Sequence, residues 1–209
     1  MTRVLIRVNA SETVGLGNLR RCEVLITELC KYSQITICSK DKHVFDFSQS
    51  KGLEYINASK GQFVDLCEHY NTGFDLMIID TKECFSFIQL KKLRNIARRV
   101  VFIENISEAA RSCDMIIFPN AHYSPESVFK SNDVPNIPKI ISGWDYIILR
   151  DEVRNAKVSS GGGIVITTGG SDPENVISYL SNLLQEPQSN VTFLIGDYYH
   201  QKTELIKDS

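Results

Sequence analysis

The residues best placed for chemistry lie in two glycine loops, each following a run of strand-forming residues. The first, residues 9–18, reads NASETVGLGN and leads into an amphipathic segment. Gly15 and Gly17 would let the main chain approach a ligand, and free N–H groups at a helix start favour an anion. A tight βα turn accounts for the same glycines, because G-x-G falls short of the full dinucleotide fingerprint. The second loop, Gly169-Gly170-Ser171-Asp172-Pro173, holds the same position after its own strand. There Asp172 can cap the next helix and Pro173 suits its first turn, so a plain cap is the competing reading. Two such loops in consecutive units point to a phosphorylated ligand between them. Asp80, Glu104 and His122 end or follow strands on the same expected ligand side. Each is a candidate acid or base, and each can instead be a cap or a surface charge.

Positioning these groups requires a regular frame, and the apolar pattern supplies one. Residues 4–8 (VLIRV) and 35–38 read as strands, separated by a segment whose Leu19, Cys22, Leu25, Ile26, Leu29 and Cys30 share one helical face. A vaguer stretch follows, with a helix expected around residues 62–70. The run 76–79 (LMII) is continuously apolar and ends in Asp80, the mark of a strand buried on both faces. A helix is expected over 85–98, a strand over 100–103, a short helix over 107–113 and a strand over 115–118. Repeated βα units force parallel pairing through right-handed crossovers, which gives a doubly wound, Rossmann-like α/β domain.

Residues 119–138 change character, carrying four prolines and many small polar residues, and read as a long loop. Order restarts over 139–154, and SSGGG follows as a flexible stretch. A new buried strand is expected over 164–168 (IVITT), then a helix over 176–184 and a strand over 191–195. The division is thus an N-terminal domain over 1–142, a hinge over 143–162 and a partial second α/β unit over 163–209. One β-α-β is too little to bury both faces of a sheet by itself. Such a unit docks on the first domain, pairs with another chain (a protein partner or a second copy), or belongs to a longer sequence.

Composition narrows the classes. The 209 residues are 43% hydrophobic and 23% charged, ordinary for a chain with a real core. A net charge of -2 provides no global basic field for nucleic acid. The clusters at Arg20–Arg21 and around Lys91, Lys92, Arg98 and Arg99 read as solvated helix faces. No apolar run approaches the ~18 residues that span a bilayer. The first residues are too polar for a signal peptide and read as a strand, so membrane insertion is not expected and the location expected is cytoplasmic. Six cysteines are scattered without a Cys-x-x-Cys pair, and Cys67-x-His69 is a weak zinc candidate that the bland reading outweighs.

Taken together, four segments resemble a known family. They are RVNASETVGLGNLRRC (7–22), IID (78–80), GWDYIILRDE (143–152) and GGSDPEN (169–175). The chain is similar to the UDP-sugar hydrolases of pseudaminic acid biosynthesis and to related spore-coat polysaccharide proteins. The resemblance implies a two-domain glycosyltransferase-B architecture and a UDP-linked amino sugar as substrate. It also implies that water attacks the anomeric carbon and releases UDP, which requires no metal or other cofactor. The family's first loop reads R-x-D-x-x-x-x-I-G-x-G-H-x-x-R, in which the histidine activates water and the acidic residue supports it. Arg7, Gly15, Gly17 and Arg21 match, whereas Asn9 stands at the aspartate position and Asn18 at the histidine position. The resemblance therefore makes Asn18, Asn9 and Asp80 the catalytic positions. It makes Arg7, Gly15, Gly17, Arg21, Tyr146, Gly169, Gly170, Ser171 and Asn175 the substrate-contacting ones, and His122 joins them by its place in the loop after the 115–118 strand.

Asparagine donates and accepts hydrogen bonds but cannot take a proton. Both changes keep shape and remove ionisation, so weakened chemistry on a retained binding site is expected. Losing a general base typically costs ~10²–10⁴ in rate. The family also binds its nucleotide through a later serine- and glutamate-containing segment that does not occur in these residues. Two further readings compete: an inactive relative that binds sugar nucleotide or a pathway enzyme, and a glycosyltransferase in which an acceptor replaces water.

Overall fold

The computed structural model describes residues 1–11, 14–69 (main chain only for 67–69), 73–119, 138–157, 161–170, 172, 174–184, 190–196 and 199. Its strands are β1 (Thr2–Val8), β2 (Ser33–Ser39), β3 (Glu54–Asn57), β4 (Leu76–Asp80), β5 (Val100–Ile103), β6 (Met115–Phe118) and β7 (Lys139–Ser142). They form a seven-stranded sheet in the order β3-β2-β1-β4-β5-β6-β7. Every neighbouring pair is parallel, with Val4 to Val8 of β1 lying beside Leu76 to Asp80 of β4. The helices are α1 (Gly17–Leu29), α2 (Lys42–Ser50), α3 (Lys60–His69) and α4 (Phe87–Ile96). This is a doubly wound, Rossmann-like α/β fold.

The strand order explains the two-sided core. From β1 the chain winds outward to β2 and β3, then returns to start again at β4 on the other side of β1. Right-handed crossovers in opposite directions must put their helices on opposite faces. On one face Leu19, Cys22 and Ile26 of α1 and Val44 of α2 pack on Val4, Ile6, Val8, Ile35, Ile37 and Ile78. On the other, Phe63 and Val64 of α3 and Leu90, Leu93 and Ile96 of α4 pack on Leu5, Met77, Ile79, Val100 and Phe102. Alternate residues of one strand thus serve different cores, as the two-residue period of a strand demands.

The winding reverses between β1 and β4, leaving a crevice at their carboxyl ends where open α/β sheets take ligands. The sequence reading places the central elements to within about two residues and misses α2 and β3. Glu54 and Asn57 of β3 are exposed and Tyr55 and Ile56 only half-buried, so this edge strand carries a weak apolar signal. The stretch 139–154 resolves into β7, a 3-10 turn (Trp144–Tyr146) and the one-turn helix α5 (Asp151–Arg154).

Strands β8 (Ile164–Thr167) and β9 (Val191–Leu194) pair in parallel as a separate two-stranded sheet, joined through α6 (Val176–Leu183). The expectation of a buried strand here is corrected. Ile164 and Val165 are 57% and 62% exposed, because this sheet is a single pair and α6 buries Ile177 alone among its described residues.

Candidate functional site

The crevice between β1 and β4 is built from a helix start and two strand ends. Gly15 has φ of +82°, a left-handed conformation that favours glycine, and its N–H donates to the Ser11 carbonyl at 2.7 Å. That bond holds Gly15 against Ser11 just before α1. Gly17 opens the helix, exposed and with open space where a side chain would stand. Leu16, at the cap position, provides no side-chain bond, and no acidic residue lies in the first turn. The first N–H groups of α1 therefore keep their dipolar preference for an anion.

One turn in, Arg21 reaches across the end of β4. Its Nε donates to Asp80 Oδ2 at 2.8 Å and its Nη2 to Asp80 Oδ1 at 2.7 Å, a bidentate pair. Its Nη1 donates to Glu104 Oε2 at 2.7 Å, from the residue after β5. Asp80 is 1% exposed. Burial pushes its carboxyl above the ordinary carboxylate value, against the hydrogen bonds and charge of Arg21. Burial would lower Arg21, but Asp80 and then Glu104 outweigh it and push the guanidinium up, so it stays charged. The Cys22 thiol, 3.6 Å from Asp80 Oδ2, is pushed well up by burial and by that carboxylate, and is no nucleophile.

Asn18 donates from Nδ2 to the Asp80 main-chain carbonyl at 3.4 Å. Asn9 Oδ1, just after β1, is buried with no hydrogen-bond partner among the described residues. Asn18 thus borders the crevice through the Asp80 carbonyl. Arg7 does not. It is buried on the opposite face of the sheet, where Glu83 takes a bidentate pair at 2.8 and 3.1 Å and the Ala58 carbonyl accepts at 2.6 Å. Burial would lower this guanidinium too, but Glu83 raises it, and its face lies over the Phe63 ring at 5.4 Å. Sequence spacing joins Arg7 and Arg21 in one motif; the pleat separates them, since Arg7 shares its side of β1 with Leu5.

A cleft of about 320 Å³ opens beside the α1 start. Gly17, Arg20 and Arg21 line one wall, and Pro119, Ile147, Ile148, Leu149, Arg150 and Val153 the rest. Three arginines line this space, and no carboxylate among the described residues does. Arg20 also pairs with Glu23 on the same helix at 2.9 Å, an exposed contact of little weight. Tyr146 is exposed in the turn just before this wall and does not line it. Arg150, which sequence reading leaves unassigned, does. Its signal was only its place in the segment 143–152.

In the second loop, Gly169 has φ of +87° and its N–H donates to Thr167 Oγ1 at 3.4 Å. Asp172 caps α6 as expected, accepting from the N–H groups of Val176 and Ile177 at 3.0 Å each. Asn175 is left-handed at φ 54° and accepts from the Tyr199 hydroxyl at 3.3 Å. A side chain at Gly196, after β9, would collide with the carbonyls of Gly169 and Gly170, so this loop packs on its own chain. His122, Ser171 and Pro173 lie outside the described residues, as do the side chains of Cys67 and His69. No group able to hold a metal occurs among the described residues. No described helix is long and apolar enough to cross a membrane.

Site and fold together define a doubly wound α/β protein with an arginine-lined cleft beside the start of α1. No family model matches the chain, and no curated protein matches it. A crystal structure of the CurK enoyl reductase resembles it with a TM-score of 0.38 and 12% identity, over 93% of this chain and 55% of that one. The chain therefore spans about half the length of that protein, and a likeness this distant bears on no activity.

Proposed function

We propose that the crevice binds a nucleotide sugar through its phosphates and that the chain is a UDP-sugar hydrolase-like protein with weakened chemistry. One observation carries this reading: Arg20, Arg21 and Arg150 converge on a cleft of about 320 Å³ with no lining carboxylate among the described residues, beside an uncapped helix start. A diphosphate complements Arg150 and competes for Arg20 and Arg21 with Glu23 and Glu104, and Ile147, Ile148 and Leu149 offer apolar surface to the rest of the ligand. The family resemblance adds the glycosyltransferase-B architecture, the uridine and the amino sugar.

Asn18 fits the weakened-base half of the proposal. A histidine at this position whose Nδ1–H donated to the Asp80 carbonyl, as the asparagine amide now does, would keep Nε2 free to take a proton from water. Asparagine keeps the hydrogen bond and loses the base. Calorimetric titration with UDP, against ADP and CDP, tests the binding reading. UDP-selective binding is the expected result, and failure of all three to bind overturns it. The inactive-relative alternative predicts the same binding with no hydrolysis even after Asn9→Asp and Asn18→His. A glycosyltransferase would instead transfer the sugar to an acceptor and release none of it free.

A further inference from the structure

Arg21 is held by two carboxylates of unlike standing. Asp80 ends a central strand, is 1% exposed and takes one edge of the guanidinium through two hydrogen bonds. It cannot swing away without leaving a buried charge uncompensated. Glu104 is different. Its side chain is 35% exposed and makes a single bond to Nη1, while Arg21 itself is 13% exposed and lines the cationic cleft. The Glu104 main chain is fixed, its N–H donating to the Ile117 carbonyl at 2.9 Å, so only the side chain need move. Released from Arg21, that carboxylate has water to enter.

We propose that Glu104 is an internal counter-anion for Arg21, displaced when a phosphate enters the cleft. Asp80 anchors the guanidinium permanently and fixes its plane; Glu104 occupies the Nη1 edge only while the cleft lacks an anion. A phosphate oxygen then takes over the Nη1 bond, and Arg20 and Arg150 share the remaining charge. Glu104 thereby sets how much anion is needed to fill the site, and disfavours ligands with too little charge to compete. If Glu104 holds Arg21 in nine molecules of ten, apparent affinity falls about tenfold from its intrinsic value. The inference rests on the cleft as a phosphate site, not on which nucleoside the phosphate carries.

The test is calorimetric titration of the whole chain with inorganic pyrophosphate and with UDP, at one fixed low ionic strength. The proteins are wild type, Glu104→Gln and the charge control Glu108→Gln, which lies on a 3-10 turn outside the cleft. Glu104→Gln is expected to bind pyrophosphate about three- to tenfold more tightly, with Glu108→Gln unchanged. Equal or weaker binding by Glu104→Gln overturns the proposal and makes Glu104 a brace for Arg21. An equal gain in Glu108→Gln also overturns it, by reducing the effect to net charge. So does an absence of pyrophosphate binding in every protein. Should Glu104→Gln fail to fold, Glu104→Asp retracts the charge by one methylene and carries the same expected direction. The nucleotide reading is separable. It fails if UDP binds no better than pyrophosphate, whatever Glu104→Gln does.

Discussion

At Asp80 and Asn18, charge and hydrogen bonding decide what each side chain can do. Asp80 is buried and bidentate to Arg21, so Asp80→Asn leaves a mostly buried guanidinium short of its anchor. The expected loss of stability is about 3 kcal/mol, read as a lowered urea midpoint at unchanged slope. Asn18 and Asn9 carry the opposite kind of prediction. Restoring Asn18→His and Asn9→Asp together is expected to raise hydrolysis of a UDP-amino sugar by ~10²-fold or more, measured as UDP release. No change in rate would leave binding as the site's sole role. Buried thiols are not alternatives: burial pushes Cys38 up to about 11, against the pull of Arg7, and Cys113 up to about 12.

Elements are held at their ends by short-range chemistry. Helix α4 opens with a capping box: Ser86 Oγ accepts from the Gln89 N–H at 3.3 Å, and Gln89 Oε1 accepts from the Ser86 N–H at 2.9 Å. Ser86→Ala is expected to cost about 1 kcal/mol and to raise hydrogen exchange in the first turn of α4. The pattern S-x-x-Q marks this start in the sequence, yet the apolar run alone places it at Phe85. In the second sheet, Gly196→Ala forces a methyl into the Gly169 and Gly170 carbonyls. Faster amide exchange in β8 and β9, with the seven-stranded sheet unaffected, is the expected signature. Overpacking of this kind costs about 1–3 kcal/mol.

At the scale of the whole molecule, acid stability has one contributor among the described residues at the amino ends of β5 and β6. Asp114 accepts from the Val100 N–H at 2.9 Å and from Arg99 at 2.8 Å, tying the start of β6 to β5. Partial burial would raise its carboxyl, but the Val100 N–H, Arg99 and Arg94 outweigh that and hold it below the ordinary carboxylate value. A carboxyl lowered by folding binds fewer protons in the native state. Its stabilisation is present above the unfolded value of about 3.9 and is lost as pH falls through the lower folded value. Asp114→Asn is therefore expected to be less stable than wild type at pH 7, with the gap closing below about pH 4, as measured by denaturant unfolding at several pH values.

Much of the fold was legible because its signal is local. Continuous apolar runs such as LMII must be buried on two faces, and βα alternation leaves parallel pairing as the simple way to do so. The half-exposed strand β3 was not legible, because an edge strand needs no apolar pattern. Of the candidate site, the sequence itself determined the residue types: glycines at the α1 start, asparagines that cannot take a proton, and Asp80 at a strand end. Which of them meet was decided by tertiary structure alone. The alternation of side chains along β1 sent Arg7 to Glu83 on one face, while Arg21 reached over β4 to Asp80 and Glu104 on the other. Arg150, more than a hundred residues from α1, joins that second group through the chain's return past β7. Spacing along a chain measures contour length, whereas ionic chemistry depends on distance through space, and the winding of the sheet converts one into the other.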